Sequence, residues 1–291
     1  MNLVVPEMLR AAFRPRPTDA NKRTVGVVGV VGGSDRYPHA PVIAALGARA
    51  AGAGLVHLAV PDASRAAAAA LVPEASFVPR DAVGEPPAED VAVVGMGLGA
   101  EASARRLASR WLTADRYRLV VDADALNCLA TADAAERDRF RSGRGSRILT
   151  PHEGEAARLL GVTRGEVASD RLAAARELAA RFGATVVLKG PGTLVVPADG
   201  SRVYRNETGN PFMALGGMGD LLAGVVGARW AYLRTADPFL VAAGSVWLHG
   251  LAADRVVNGG GDPSLVGVAA EIGRLRVFLD NITSFQQESC L

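Results

Sequence analysis

The chain has 291 residues, 49% of them hydrophobic and 21% charged, enough to bury the core of one α/β domain of common size. Lysine and arginine total 32 against 30 acidic residues, and a formal charge of +2 excludes the basic excess of a nucleic-acid or membrane-surface binder. Of the two cysteines, Cys128 and Cys290, the second stands next to the last residue, so no disulfide is expected and a reducing cytoplasm fits.

The opening stretch is acidic at Glu7 and broken by Pro15 and Pro17, which is not a signal-peptide layout. Arg49, Asp220 and His249 interrupt the longest apolar candidates before they reach the ~18 residues that a membrane helix needs. Short β-branched runs recur at 25–31, 55–60, 91–95, 119–121, 147–150 and 185–188. They are apolar on both faces, the pattern of parallel strands covered by helices. Alanine-rich stretches with helical spacing lie between them at 41–53, 100–112 and 169–182, and the run from Ala66 to Ala70 reads as plain helix. This alternation predicts a three-layer α/β/α sandwich around a mostly parallel sheet.

Thr163 and Glu166 have the spacing of a helix capping box. After Lys189 the pattern changes: 193–196 and 202–206 read as a hairpin turning at Asp199-Gly200, so the sheet should end in antiparallel edge strands. Three helical stretches follow at 218–234, 237–257 and 265–279. No linker or composition shift marks a second unit, so one domain over residues 1–291 is expected.

The most informative stretch is 206–227, NETGNPFMALGGMGDLLAGVVG, which passes through clustered glycines into an apolar helix. Without Cβ atoms at Gly216, Gly217 and Gly219, the amides of Gly216, Gly217, Met218 and Gly219 can turn toward one anion. A helix beginning near Met218 adds its unpaired N–H groups and the positive end of its dipole, which makes the turn a phosphate cradle. An aspartate such as Asp220 in a first helical turn is an ordinary partner for the dipole. Beside a transferring phosphate it can also accept the proton of an attacking hydroxyl, and a loose transition state asks little base strength of it. The surrounding glycines favour the base.

The segment Lys189, Gly190, Pro191, Gly192, Thr193 follows a strand and offers a cation, amides and a hydroxyl; taken alone, it also reads as a Gly-Pro hairpin entry. His152 follows Thr150-Pro151, where a proline at a first helical position would open a helix facing the crevice. The turn at 95–99, GMGLG, lacks the full Gly-x-Gly-x-x-Gly spacing of a dinucleotide fingerprint, while a helix starting at Ala100 could still face a pyrophosphate. Asp122 and Asp124 offer hard oxygen ligands for Mg²⁺, but alternate residues of a strand point to opposite faces. Asp122 and Asn127 are therefore expected to organise the site from behind. His39, His57 and His249 have no partner at metal-ligand spacing and read as structural or surface residues.

GNPFMALGGMGD, the Gly-Gly-Ser-Asp turn at 32–35, VVDADALN at 120–127 and TPHEGE at 150–155 together resemble the ordered motifs of the NAD(P)H-hydrate dehydratases, a branch of the ribokinase-like superfamily. Simple sugar kinases carry a shorter Gly-Ala-Gly-Asp version of the first. The chain departs from the family pattern at Phe212, Leu215 and Met96, where a small residue, a small polar residue and a proline are usual. The resemblance implies a ribokinase-like fold and dehydration of the S epimer of hydrated NADH or NADPH, driven by ADP or ATP with Mg²⁺. The 6-hydroxyl would be phosphorylated and phosphate then eliminated.

The same resemblance places Lys189 to Thr193 and Gly219 on the nucleotide, and Ala40, Gly97, Gly99, His152 and Asp220 on the hydrated dinucleotide. It matches Glu155 to a glutamate near the metal-bound phosphates of sugar kinases, and it assigns no metal ligands. It further implies a cytoplasmic homotetramer and, because few residues precede Val25, an epimerase supplied by another chain. Two alternatives share the glycine turn: a small-alcohol kinase such as one acting on hydroxyethylthiazole, and a non-catalytic nucleotide-binding protein. VVDADALN and TPHEGE favour the dehydratase.

Overall fold

The computed structural model describes residues 5–80, 90–115, 117–143 and 146–288, with side chains described through residue 281; Cys290 lies outside them. Its strands are β1 (Val27–Val31), β2 (Leu55–Ala59), β3 (Ser76–Phe77), β4 (Val91–Val94), β5 (Arg118–Val121), β6 (Arg147–Leu149), β7 (Thr185–Leu188), β8 (Leu194–Val196) and β9 (Tyr204–Arg205). The first helices are α1 (Ala40–Ala50), α2 (Arg65–Leu71), α3 (Ala102–Leu112), α4 (Ala123–Ala130), α5 (Ala134–Ser142) and α6 (Glu153–Leu160). They are followed by α7 (Arg164–Ser169), α8 (Arg171–Phe182), α9 (Met218–Tyr232), α10 (Pro238–Asn258) and α11 (Leu265–Glu288).

One sheet holds the strands in the order β3-β2-β1-β4-β5-β6-β7-β8-β9. Pairing is parallel as far as β7 and antiparallel for β8 and β9, as the sequence predicts. From β1 the chain moves outward to β2 and β3, then returns to β4 on the other side of β1, which opens a crevice above the carboxyl ends of those strands.

Alternate strand residues supply two cores, because successive side chains point to opposite faces. Val28, Val30, Val93 and Val120 pack with α1, α9, α10 and α11, whereas Val31, Val94, Val121 and Leu149 pack with α3, α4, α6 and α8. The α9 helix is buried all round from Leu221 to Ala231, as expected of a helix lying inside a core. Two glycines let α1 and α9 touch backbone to backbone: a Cβ on Gly224 would stand 1.8 Å from the Ala44 carbonyl oxygen, and one on Gly47 2.1 Å from that of Leu221. This crossing holds the start of α9 over the crevice.

The 21-residue α10 differs from the sequence expectation, being long and apolar enough to cross a bilayer. In the fold 67% of its most apolar window is buried, against a 3-10 turn at Glu7–Ala12, α9, α11 and the sheet. Arg229 of α9 ties the same region together, donating to the Asp280 carboxylate at 2.9 Å and to the Ala12 carbonyl at 2.6 Å.

Three local readings change. The stretch at 169–182 breaks into α7 and α8 at Asp170, whose side chain accepts from the Ala173 amide at 2.9 Å and caps the second helix. Pro151 is not a first helical position, because His152 is the N-cap and α6 starts at Glu153. The strand leading to Asp122 stops at Val121, and Ala123 turns through a left-handed φ of 48°. Asp124 is therefore helical, and the opposite-face argument for Asp122 and Asp124 does not apply. The capping box of Thr163 and Glu166 forms, with bonds of 2.8 and 3.2 Å, and Gly200 turns the hairpin at φ 66°.

Candidate active site

Three loops meet at the carboxyl ends of β5, β6 and β7. Beyond its last strand residue, β7 is joined to the β6 end by a parallel bridge between Lys189 and His152 and by the Lys189 amide, which donates to the Pro151 carbonyl at 2.8 Å. Lys189 Nζ donates to Asp122 Oδ1 at 2.6 Å, and the Asp122 side chain is 1% exposed. The same amine reaches the start of α9: a Cβ on Gly219 would lie 3.2 Å from Nζ. Asp122, Lys189, Gly219 and Asp220 are thus gathered from positions far apart in sequence.

The turn before α9 is anchored to α10. Asp254 accepts from the Gly209 amide and from the Asn210 side chain, both at 2.8 Å, and Asn210 Oδ1 accepts from the Phe212 amide at 3.1 Å. Gly217, the N-cap, takes a φ of 93° and has no side chain to cap the helix. The amides of Gly216, Gly217 and Gly219 have no acceptor among the described residues. The Met218 amide does have one, the Leu215 carbonyl at 3.3 Å, so it is the weakest member of the predicted anion hole.

On the other side, the Gly99 amide donates to Asp124 Oδ2 at 2.9 Å. Asn127 donates to Asp124 Oδ1 at 3.3 Å and accepts from Arg158 at 2.7 Å, so Asn127 steadies Asp124. Gly97, at φ 65°, sits under the first turn of α1, where an added Cβ would be 2.7 Å from Tyr37 Cβ and 3.1 Å from Ala40 Cβ. Ala40 and Gly97 are therefore neighbours. α3 starts at Ala102 rather than Ala100, and the Glu101 carboxylate lies beside Gly99, so a negative charge borders that helix start. Met96 is fully buried, whereas Phe212 and Leu215 are 66% and 49% exposed.

His152 is itself a helix cap. Its Nδ1 accepts from the amides of Gly154 and Glu155 at 2.9 and 3.2 Å, while a Glu155 oxygen accepts from the His152 amide at 2.8 Å. Burial, with Lys189 and Arg158 nearby, lowers the imidazole pKa, consistent with a neutral ring that accepts at Nδ1.

Burial pushes Asp220 up to about 7, with Asp122, Glu155 and Asp124 adding to the rise and Lys189 opposing it. Glu155 is likewise raised to about 7 by burial, again against Lys189. Burial alone would lower the Lys189 pKa, but Asp122, Glu155 and Asp220 outweigh it and keep the ammonium above its ordinary value. The arrangement holds one cation among four acids, two of which are poised near neutrality.

Sequence reasoning set Asp124 aside and missed Asp254 and Arg171. The last donates to the carbonyls of Pro191, Leu188 and Lys189 at 2.5, 3.2 and 3.2 Å and so clamps the loop after β7. Only the Asp-x-Asp helix start left a trace of any of these in the sequence. Thr193 closes that loop on itself, its Oγ1 donating to the Gly190 carbonyl at 2.9 Å. A separate cavity of about 450 Å³ lies between α3 and α4, lined by Arg105, Arg106 and Cys128, and holds none of the expected site residues.

The sheet order, the open glycine turn and the buried lysine–carboxylate cluster define a nucleotide-handling enzyme fold of the ribokinase-like class. The profile of the NAD(P)H-hydrate dehydratase family matches residues 28–265, and the chain belongs to that family. It is 42% identical to an ADP-dependent (S)-NAD(P)H-hydrate dehydratase of Neisseria meningitidis, covering 86% of this chain and 83% of that protein. A bifunctional NAD(P)H-hydrate repair enzyme of Gloeobacter violaceus is 36% identical, and there the match covers 87% of this chain and 49% of the longer relative. Among solved structures, the ADP/ATP-dependent NAD(P)H-hydrate dehydratase of Bacillus subtilis, co-crystallised with ATP and Mg²⁺, superposes with a TM-score of 0.80 at 28% identity, covering 92% and 94% of the two chains. Hydroxyethylthiazole kinase of Pyrococcus horikoshii, at 15% identity and a TM-score of 0.56, shares the fold alone.

Proposed function

We propose that the chain dehydrates the S epimer of hydrated NADH and NADPH, using ADP or ATP as phosphoryl donor. The observation that carries this reading is the half-buried Asp220 at the open start of α9, beside a lysine that is itself held by Asp122. Asp220 takes the proton of the 6-hydroxyl as that oxygen attacks the terminal phosphorus of the donor. The amides of Gly216, Gly217 and Gly219, with Met218 as a weaker member, bind the transferring group. The ring nitrogen then expels phosphate from C6, a proton leaves C5, and the dihydropyridine is restored.

Lys189 to Thr193 and Gly219 bind the nucleotide in this reading, while Ala40, Gly97, Gly99 and His152 bind the hydrated dinucleotide. Asp122, Asn127 and Glu155 hold these groups in register. Among the described residues no three metal-ligating side chains converge. Mg²⁺ fits as an ion carried by the donor's phosphates, which needs one or two protein carboxylates; Glu155 is the one that would face it, and the ion would neutralise phosphate charge. We further propose a cytoplasmic homotetramer that works together with an epimerase acting on the same hydrate, a reading that rests on the family resemblance.

The test is recovery of absorbance at the NADH band when hydrated cofactor is mixed with ADP or with ATP. A stable phosphate ester in place of recovered NADH would show a kinase instead.

A further inference from the structure

The loop from Lys189 to Thr193 bends through left-handed backbone at Gly190 (φ 140°) and at Gly192 (φ 62°), and an arginine covers each of these glycines. A Cβ on Gly190 would stand 3.0 Å from a terminal nitrogen of Arg171, and one on Gly192 2.9 Å from Nε of Arg205. Their engagements differ. Arg171, on α8, has its side chain 19% exposed, donates to the carbonyls of Leu188, Lys189 and Pro191 and lies 3.5 Å from Glu153. Arg205 is on the edge strand β9, paired opposite Leu194, and is exposed. Its side chain has no hydrogen bond or ion pair with any of the described residues.

Of the three cations at this loop, Lys189 is committed to Asp122 and Arg171 to backbone carbonyls, and the Arg205 side chain alone has no partner among the described residues. The crevice beside them is acidic, holding Asp122, Asp124, Glu155 and Asp220 around Lys189. A nucleoside diphosphate entering it brings further negative charge, which the open amides of α9 meet at one end only. A guanidinium presents a planar fork that matches two phosphate oxygens, and this one has no carboxylate partner to give up.

We propose that Arg205 is a nucleotide-binding residue, its guanidinium receiving the phosphate next to the nucleoside while the amides at the start of α9 receive the terminal one. The inference rests on the nucleotide role given above to Lys189 through Thr193. Arg171 positions the loop, and Arg205 reads the ligand lying on it.

The experiment compares the whole protein with Arg205→Ala and Arg205→Lys by calorimetry, using ADP, AMP and adenosine as probes. Arg205→Ala should weaken ADP and AMP about tenfold, the size of one lost charged hydrogen bond, and leave adenosine unchanged. Arg205→Lys should fall between, since it keeps the charge and loses the fork. In the dehydration assay the KM for ADP should rise by far more than kcat falls. Unchanged binding of ADP and AMP overturns the assignment. So does equal weakening of adenosine, which would put the guanidinium on the base. A wild-type protein that binds none of the three removes the nucleotide site itself, and the proposal with it.

Discussion

The α6 and α9 helices begin on either side of Lys189 and finish their N-termini in opposite ways. At α6 the amides of Gly154 and Glu155 are taken by His152 Nδ1, and the Glu155 carboxylate returns to the His152 amide, so this helix start satisfies itself. At α9 the cap is Gly217, with no side chain, and the amides of Gly216, Gly217 and Gly219 have no acceptor among the described residues. Both helices carry the same dipole. What turns a helix start into an anion site is the absence of a competing acceptor in its own cap.

The largest effect expected from breaking this contrast is at the acid of α9. Asp220→Asn should lower kcat by about 10²–10⁴-fold, the usual contribution of a general base, while ADP binding measured by calorimetry persists. Full activity in that variant would remove the proposed base. Next is the lysine between the two helices. Lys189→Met strands the buried Asp122 carboxylate and should cost ~3–5 kcal/mol in urea unfolding, unlike an exposed pair.

Giving α9 the kind of cap that α6 has should weaken ADP binding about tenfold, because an Asn at position 217 tolerates left-handed backbone and competes for the open amides. Some of that loss comes from packing, since the added Cβ would be 2.8 Å from Ile43 Cδ1. The reverse change at α6 is smaller. His152→Ala removes the cap and should cost ~1 kcal/mol of stability, whereas His152→Asn should restore it and still raise the KM for the hydrated dinucleotide.

The smallest effect concerns pH. Asp220 must be ionised to act as a base, so activity should climb as pH rises through about 7, with Lys189 favouring ionisation and Asp122, Asp124 and Glu155 opposing it. Stability runs the other way. Glu155 is raised in the fold from 4.5 to about 7, so the folded state holds the extra proton and stability falls as pH rises across that window. Glu155→Gln keeps the capping geometry and should remove the Glu155 share of that fall in pH-dependent thermal unfolding, leaving the share of Asp220, which is raised from 3.8 to about 7.

Much of the fold was legible because its signals are local. Runs apolar on both faces marked the parallel strands, and Asp199-Gly200 marked the edge hairpin. Within the candidate site, the glycine cluster and Asp220 were legible for the same reason, since backbone freedom and a first-turn acid are properties of adjacent residues. His152 was singled out, but its capping role was not, because a histidine in the place of Ser or Thr hides the box formed with Glu155. Asp124 was set aside on strand alternation, which failed once Ala123 turned the chain into a helix.

By itself the sequence determined the six main parallel strands, the edge hairpin and most of the long helices, though not β3, α4 or α5, and it marked the glycine turn before α9, because each of these depends on neighbours along the chain. Only the tertiary structure decided that Lys189 pairs with Asp122, 67 residues away, that Arg171 clamps the loop while the Arg205 side chain has no partner among the described residues, and that Asp220 and Glu155 sit near neutrality. The reason is physical. Burial and charge pairing are set by which strand ends the sheet order brings together, and no local pattern encodes that order.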